Sequence, residues 1–223
     1  MPPTVIHLHG LGSSPGSDKA VALGERLRRL GVAYLVPDLE TPSFELLTLT
    51  AVIDRVAELA VGLPPGPLAL VGSSFGGLAA VHFVARHRLA AAARVERLVL
   101  LAPALDLLGD AERRRQRSEL GDDWLARWRR DGYLDLPHSA SGEQRPVHYG
   151  LVEDLRRYDS YSAKLELPIL IYHGRRDESV PYEQSVRFAE DRPYVELRLL
   201  DTDHRLTGRL DAIGDGIIDF LEV

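Results

Sequence analysis

Short, nearly continuous apolar runs alternate with amphipathic stretches along almost the whole of this 223-residue chain. The runs fall at 5–8, 32–36, 68–71, 97–101, 168–172 and 195–200. Between the first two, Ala20, Leu23, Leu27 and Leu30 recur at helical spacing. Ser17 is placed to cap that helix, Asp18 sits in its favourable first turn, and Gly31 stops it. A second helix is expected from Ser43, with Leu49, Val52, Ile53, Val56 and Leu59 as its buried stripe. Further helices are expected over 78–88 and 181–191, and a last one carries Leu210, Ile213, Ile217 and Phe220. Strands without a polar face must be covered on both sides, so the pattern predicts an α/β fold. Its mostly parallel sheet has about six strands with helices on both faces. In such sheets chemistry gathers on loops at the strands' carboxyl ends.

One stretch, 104–163, breaks the alternation. It is rich in Arg and holds Trp124 and Trp128, four residues apart and so on one helical face. It is expected to be a helical, lid-like excursion from a single domain spanning 1–223, with its helix over 111–130. Two readings of the tryptophans compete: plain packing, or an aromatic wall of an acyl pocket. Arg113, Arg114 and Arg117 are most simply a solvated helix face.

Composition narrows the chemistry. With 27 cationic and 33 acidic residues the formal charge is −6, which gives no attraction to nucleic-acid phosphates. The chain has no Cys, which excludes a disulfide framework, a Cys nucleophile and an iron–sulfur cluster. Of the 27 cations only Lys19 and Lys164 are lysines. The uncharged stretch 59–85 is interrupted by Pro64, Pro65, Pro67, Gly72, Gly76 and Gly77, so no membrane span is expected. No signal peptide is visible, and a cytoplasmic location is the default expectation. Gly10-Leu11-Gly12 lacks the later glycine of a dinucleotide fingerprint, and no glycine-lysine-Ser/Thr phosphate loop is present. No metal constellation stands out; His7 and His9 share a strand face without a carboxylate cluster and read as scaffold. No cofactor is expected.

The sharpest motif is Gly72-Ser73-Ser74-Phe75-Gly76, directly after one predicted strand and directly before a helix. A nucleophilic serine must project from a tight turn, clear of its own backbone. Such a turn needs small residues two before and two after it, a condition met around Ser74 and not around Ser73. The helix start there also favours developing negative charge.

On this motif the chain resembles the α/β-hydrolases, and within them the small serine esterases with a short N-terminus. The likeness covers most of the chain outside 104–163. The resemblance implies a triad in the order nucleophile, acid, base. Ser74 is then the nucleophile. His204, in Asp201-Thr202-Asp203-His204 after the last strand, is the base. Asp177, in His173-Gly174-Arg175-Arg176-Asp177, matches the acid, and Asp106 after the preceding strand competes for that role. His9-Gly10-Leu11-Gly12 resembles the oxyanion loop, with the backbone N–H groups of Leu11 and Phe75 as donors. The expected activity is cleavage of a small-molecule carboxylic ester or thioester. Other chemistry on the same triad, or a silent ligand-binding member of the fold, remain the alternatives.

Overall fold

The computed structural model describes residues 2–87, 90–109 and 124–223. Six strands form one sheet in the order β2-β1-β3-β4-β7-β8, all pairs parallel. They are β1 (Thr4–Leu8), β2 (Tyr34–Leu35), β3 (Leu68–Ser73), β4 (Val95–Leu101), β7 (Ile169–Gly174) and β8 (Val195–Leu200). Alternate residues of each strand feed opposite faces. Ile6, Leu70, Leu100 and Ile171 enter a core with helices α2 (Leu49–Gly62) and α3 (Phe75–His87). Val5, Val71, Val99 and Leu170 enter a second core with α1 (Asp18–Arg29) and the last helix, α7 (Leu210–Leu221), which follows α6 (Glu183–Ala189). The α/β fold, the six strands and the two helical layers are as the sequence pattern predicts.

The strand order has a switch point. From β1 the chain crosses outward to β2, and from β3 it crosses to β4 on the other side. The loops leaving β1 and β3 therefore diverge and leave a crevice between them, where open α/β sheets bind ligands.

Local boundaries differ from expectation in several places. Helix α2 begins at Leu49 rather than near Ser43, because the Thr48 hydroxyl accepts from Ala51 N–H (3.1 Å). Ser43 instead accepts from Leu46 N–H in a separate turn (3.3 Å). Ser17 stands at the N-cap of α1, but its side chain makes no capping bond. The second strand shrinks to two residues.

The largest difference lies within 104–163. Its described part is a mixed unit rather than a helical one: α4 (Trp124–Asp131), an antiparallel pair β5 (Tyr133–His138) and β6 (Glu143–His148), and α5 (Gly150–Leu155). Of the helix expected over 111–130, the part at 111–123, with Arg113, Arg114 and Arg117, lies outside the described residues, and α4 matches the rest. Trp124 and Trp128 stack obliquely, ring centroids 6.0 Å apart, and are buried to 7% and 4% exposure. The Trp128 indole donates to the Val147 carbonyl (2.8 Å) and its ring meets Tyr149 edge-on. Of the two readings, the structure supports packing: these side chains join α4 to β6 and the core. Trp128→Ala is expected to cost about 3–5 kcal/mol, the range for truncating a core aromatic, read as a shift in urea unfolding.

Candidate active site

The turn between β3 and α3 carries the Gly72–Gly76 motif. Ser74 adopts φ 53°, the left-handed region that a non-glycine residue enters only under constraint. The constraint is visible. Ser74 N–H donates to Leu101 O (3.0 Å), and its carbonyl accepts from Gly77 (2.9 Å) and Ala104 (3.1 Å). A Cβ on Gly76 would sit 2.1 Å from the Leu8 carbonyl oxygen, and one on Gly72 would sit 2.6 Å from the Gly76 carbonyl oxygen. No side chain fits at either position. The same packing brings the loop after β1 against the serine: a Cβ on Gly10 would lie 3.9 Å from Ser74 Oγ.

At the carboxyl ends of β7 and β8, Asp177 and His204 meet. His204 Nδ1 lies 2.7 Å from Asp177 Oδ2, and the aspartate side chain is fully buried. The other carboxylate oxygen accepts from the Ser179 (2.8 Å) and Val180 (2.7 Å) N–H groups. A second histidine shares the acid: His173 Nε2 is 3.1 Å from Asp177 Oδ2 and 3.0 Å from Val180 O. Its Nδ1 is 2.7 Å from Ser185 Oγ. An ionised carboxylate only accepts, so both imidazoles donate to it. Neutral His204 therefore holds its proton on Nδ1 and leaves Nε2 as an acceptor. Burial alone would raise the Asp177 pKa. Hydrogen bonds from His173 and His204, together with the His204 charge, outweigh that and hold the carboxyl well below its ordinary range.

Ser74 and His204 line one cavity of about 600 Å³, together with Gly10, Leu11, Ser139 and Ala140. Among the described residues, the N–H groups of Leu11 and Phe75 donate to no protein acceptor. His9, buried behind this loop, bonds the Gly10 carbonyl through Nδ1 (2.9 Å) and accepts from Leu39 N–H through Nε2 (3.1 Å). Burial pushes the His9 pKa down, so it acts as a neutral brace. The β5–β6 hairpin closes the cavity's edge. Ala140 N–H (3.0 Å) and Ser139 Oγ (2.8 Å) donate to Gly12 O, and His138 Nε2 anchors the hairpin to Glu40 (2.5 Å).

The structure thus brings Ser74, His204 and Leu11 to one crevice, with Asp177 bonded behind His204 and Phe75 directly after the serine. Trp124 and Trp128 do not line it. Asp106 accepts from Gly109 N–H (3.0 Å) and lines a different cavity with Leu78 and Tyr158. Ser73 also lines the crevice but ends β3 in ordinary extended structure. Sequence reasoning assigned no role to His173 or Lys19. The spacing of His173, four residues before Asp177 at a strand end, was the available signal for the first.

The sequence pattern of the uncharacterised protein family UPF0227 matches residues 4–222. The chain belongs to that family. Mouse palmitoyl-protein thioesterase ABHD10, named mitochondrial, is 27% identical over 94% of this chain and 71% of its own length. A hydrolase of undetermined role from Agrobacterium vitis S4 superposes with TM-score 0.82 at 26% identity, covering 99% of this chain and 88% of that one. Est1E from Butyrivibrio proteoclasticus, solved with ferulic acid bound, superposes with TM-score 0.80 at 24% identity over 99% of this chain and 88% of that one. Fold and relatives make this an enzyme of the α/β-hydrolase type. No described helix is long and apolar enough to cross a membrane. Among the described residues, no group of three or more His, Asp or Glu is placed to hold a metal ion.

The buried carboxylate has a consequence for stability. Its folded pKa lies below its unfolded value, so its contribution is present above the ordinary carboxylate range, about pH 4, and lost as pH falls below it. Urea midpoints measured at about pH 6 and about pH 3 should fall further in the wild type than in Asp177→Asn. Equal falls would show that the carboxylate carries no acid-labile stability.

Proposed function

We propose that the protein is a serine hydrolase that cleaves a carboxylic ester or thioester through an acyl-enzyme on Ser74. The observation that carries this reading is the 2.7 Å contact between His204 Nδ1 and Asp177, which leaves Nε2 free to accept in the cavity that holds Ser74. Ser74 Oγ attacks the carbonyl carbon as its proton passes to His204 Nε2. The carbonyl π electrons move to oxygen, where the Leu11 and Phe75 N–H groups receive the charge. One such donor is typically worth about 10²–10³ in rate. The intermediate collapses, the bond to the alcohol or thiol breaks, and the leaving group takes the proton from His204. A water then repeats the sequence with His204 as base, releasing the acid and restoring Ser74.

Asp177 holds the productive tautomer and stabilises the imidazolium. His173 fixes the carboxylate in turn, as a positioning residue. The insertion acts as a cap over the crevice, a role supported by the hairpin's bonds to Gly12. The relative named a palmitoyl-protein thioesterase agrees with this chemistry.

A fluorophosphonate should label the peptide containing Ser74, and Ser74→Ala should abolish labelling in a folded protein. Labelling that persists, or moves to Ser73, would overturn the assignment. Asp177→Asn should lower kcat on 4-nitrophenyl and acyl-thioester substrates by about 10⁴, the cost of a wrong imidazole tautomer in serine proteases. Asp106→Asn should change it little. The reverse ranking would move the acid to Asp106.

A further inference from the structure

Opposite Ser74, the same cavity is walled by the start of α1 and by the His204–Arg205 segment. Lys19 stands between them, partly buried, and donates from Nζ to the His204 carbonyl (3.1 Å). Among the described residues no carboxylate pairs with it. Its neighbour Asp18 is engaged at the exposed rim by Arg205 (3.2 Å), so those two charges offset each other. The lysine therefore has no carboxylate within ion-pair distance, and it lines the same cavity as Ser74. The start of α1 adds to it. Ser17 makes no side-chain cap, and the N–H groups of Asp18, Lys19 and Ala20 donate to no acceptor among the described residues. A helix of 12 residues presents partial positive charge at such an end.

We propose that Lys19 and the uncapped start of α1 form a subsite for a monoanion, so that the favoured substrate is an ester or thioester carrying a carboxylate. This rests on the reading of Ser74 as nucleophile and adds the substrate class. The donor set selects the ligand: one ammonium without an ion pair, beside helix N–H groups that have no acceptor, matches one carboxylate. The ammonium spends one N–H on the His204 carbonyl and keeps two for the ligand. The nearby Asp177 and Asp203 favour the charged ammonium, while burial and Arg205 oppose it, and burial wins. The Lys19 pKa is lowered to about 8. The subsite is therefore charged at neutral pH and titrates within an accessible range.

Two matched pairs of substrates test the proposal and locate the anion. 4-Nitrophenyl hydrogen adipate against 4-nitrophenyl hexanoate places the carboxylate on the acyl side. 4-Acetoxybenzoate against its methyl ester places it on the leaving side. The wild type should prefer the anionic member of one pair in kcat/KM. Lys19→Gln and Lys19→Met should each lower that preference by roughly ten- to a hundredfold, the range for a hydrogen bond to a charged group. A lysine that merely held the His204 carbonyl would lower both members alike and leave the ratio unmoved. In the wild type the ratio should also fall as pH rises through about 8, while the neutral member of the pair cancels any effect of pH on the steps common to both substrates. That profile serves even where the variants fold poorly. No preference in either pair, or a preference that survives both variants, overturns the subsite. Failure of the underlying reading looks different: hydrolysis that persists in Ser74→Ala.

Discussion

The chain turns from β3 into α3 at one residue, Ser74, and the turn is possible only because α3 begins in contact with the end of β1. Gly76 lies so close to the Leu8 and His9 carbonyls that any side chain would force the helix away by about an ångström or more. A displacement of that size at a reacting group can cost about 10²-fold in rate. The serine and the loop bearing Leu11 are thus set against each other by backbone packing alone. No flexible side chain intervenes to absorb an error. The strained φ at Ser74 persists because Leu101, Gly77 and Ala104 all bond its peptide groups.

Asp177 and His204 are joined by the same kind of device. Gly174, at the end of β7, packs where a Cβ would meet the Thr202 carbonyl oxygen at 2.3 Å, and Arg176 N–H donates to that oxygen (3.0 Å). The loops carrying Asp177 and His204 are therefore packed and bonded to each other through backbone. Burying a carboxylate is costly unless every oxygen is satisfied. Asp177 meets the condition with two backbone N–H groups and two imidazoles. The two imidazoles are not equivalent. His173 is fully buried between Ser185, Val180 and the acid, whereas His204 stands partly exposed at the cavity. Of the two, only His204 reaches the cavity, which is why the proposed mechanism uses it.

What was legible in the sequence follows from this reliance on backbone. Glycine spacing around Ser74, and the positions of Asp177 and His204 after successive strands, are features of chain order, and the structure brings them together as the order implies. The hairpin of β5 and β6 was not legible. Its burial alternates only weakly, with Tyr133, Asp135 and Pro137 outward and Leu134 and Leu136 half-buried, so it lacks the apolar run that marked the sheet strands. The start of α2 was misplaced because Ser43 and Thr48 both accept from the N–H three residues on, and only the turn after Thr48 continues as a helix. The tryptophans were ambiguous for a similar reason: a shared helical face says that something covers them, and only the fold shows that β6 does.

Lys19 was visible as one of two lysines among 27 cations, but rarity alone assigned it nothing. Its environment explains why a guanidinium would not serve there. Arginine carries five N–H donors in a rigid fork, and buried donors need partners. At this position the described residues offer one acceptor to the side chain, the His204 carbonyl. A compact ammonium satisfies one donor on that carbonyl and turns the rest toward the cavity, where a ligand or water completes them. The residue that shapes the crevice's charge is thus chosen by the number of acceptors around it, which is a property of the folded loops and not of the local sequence.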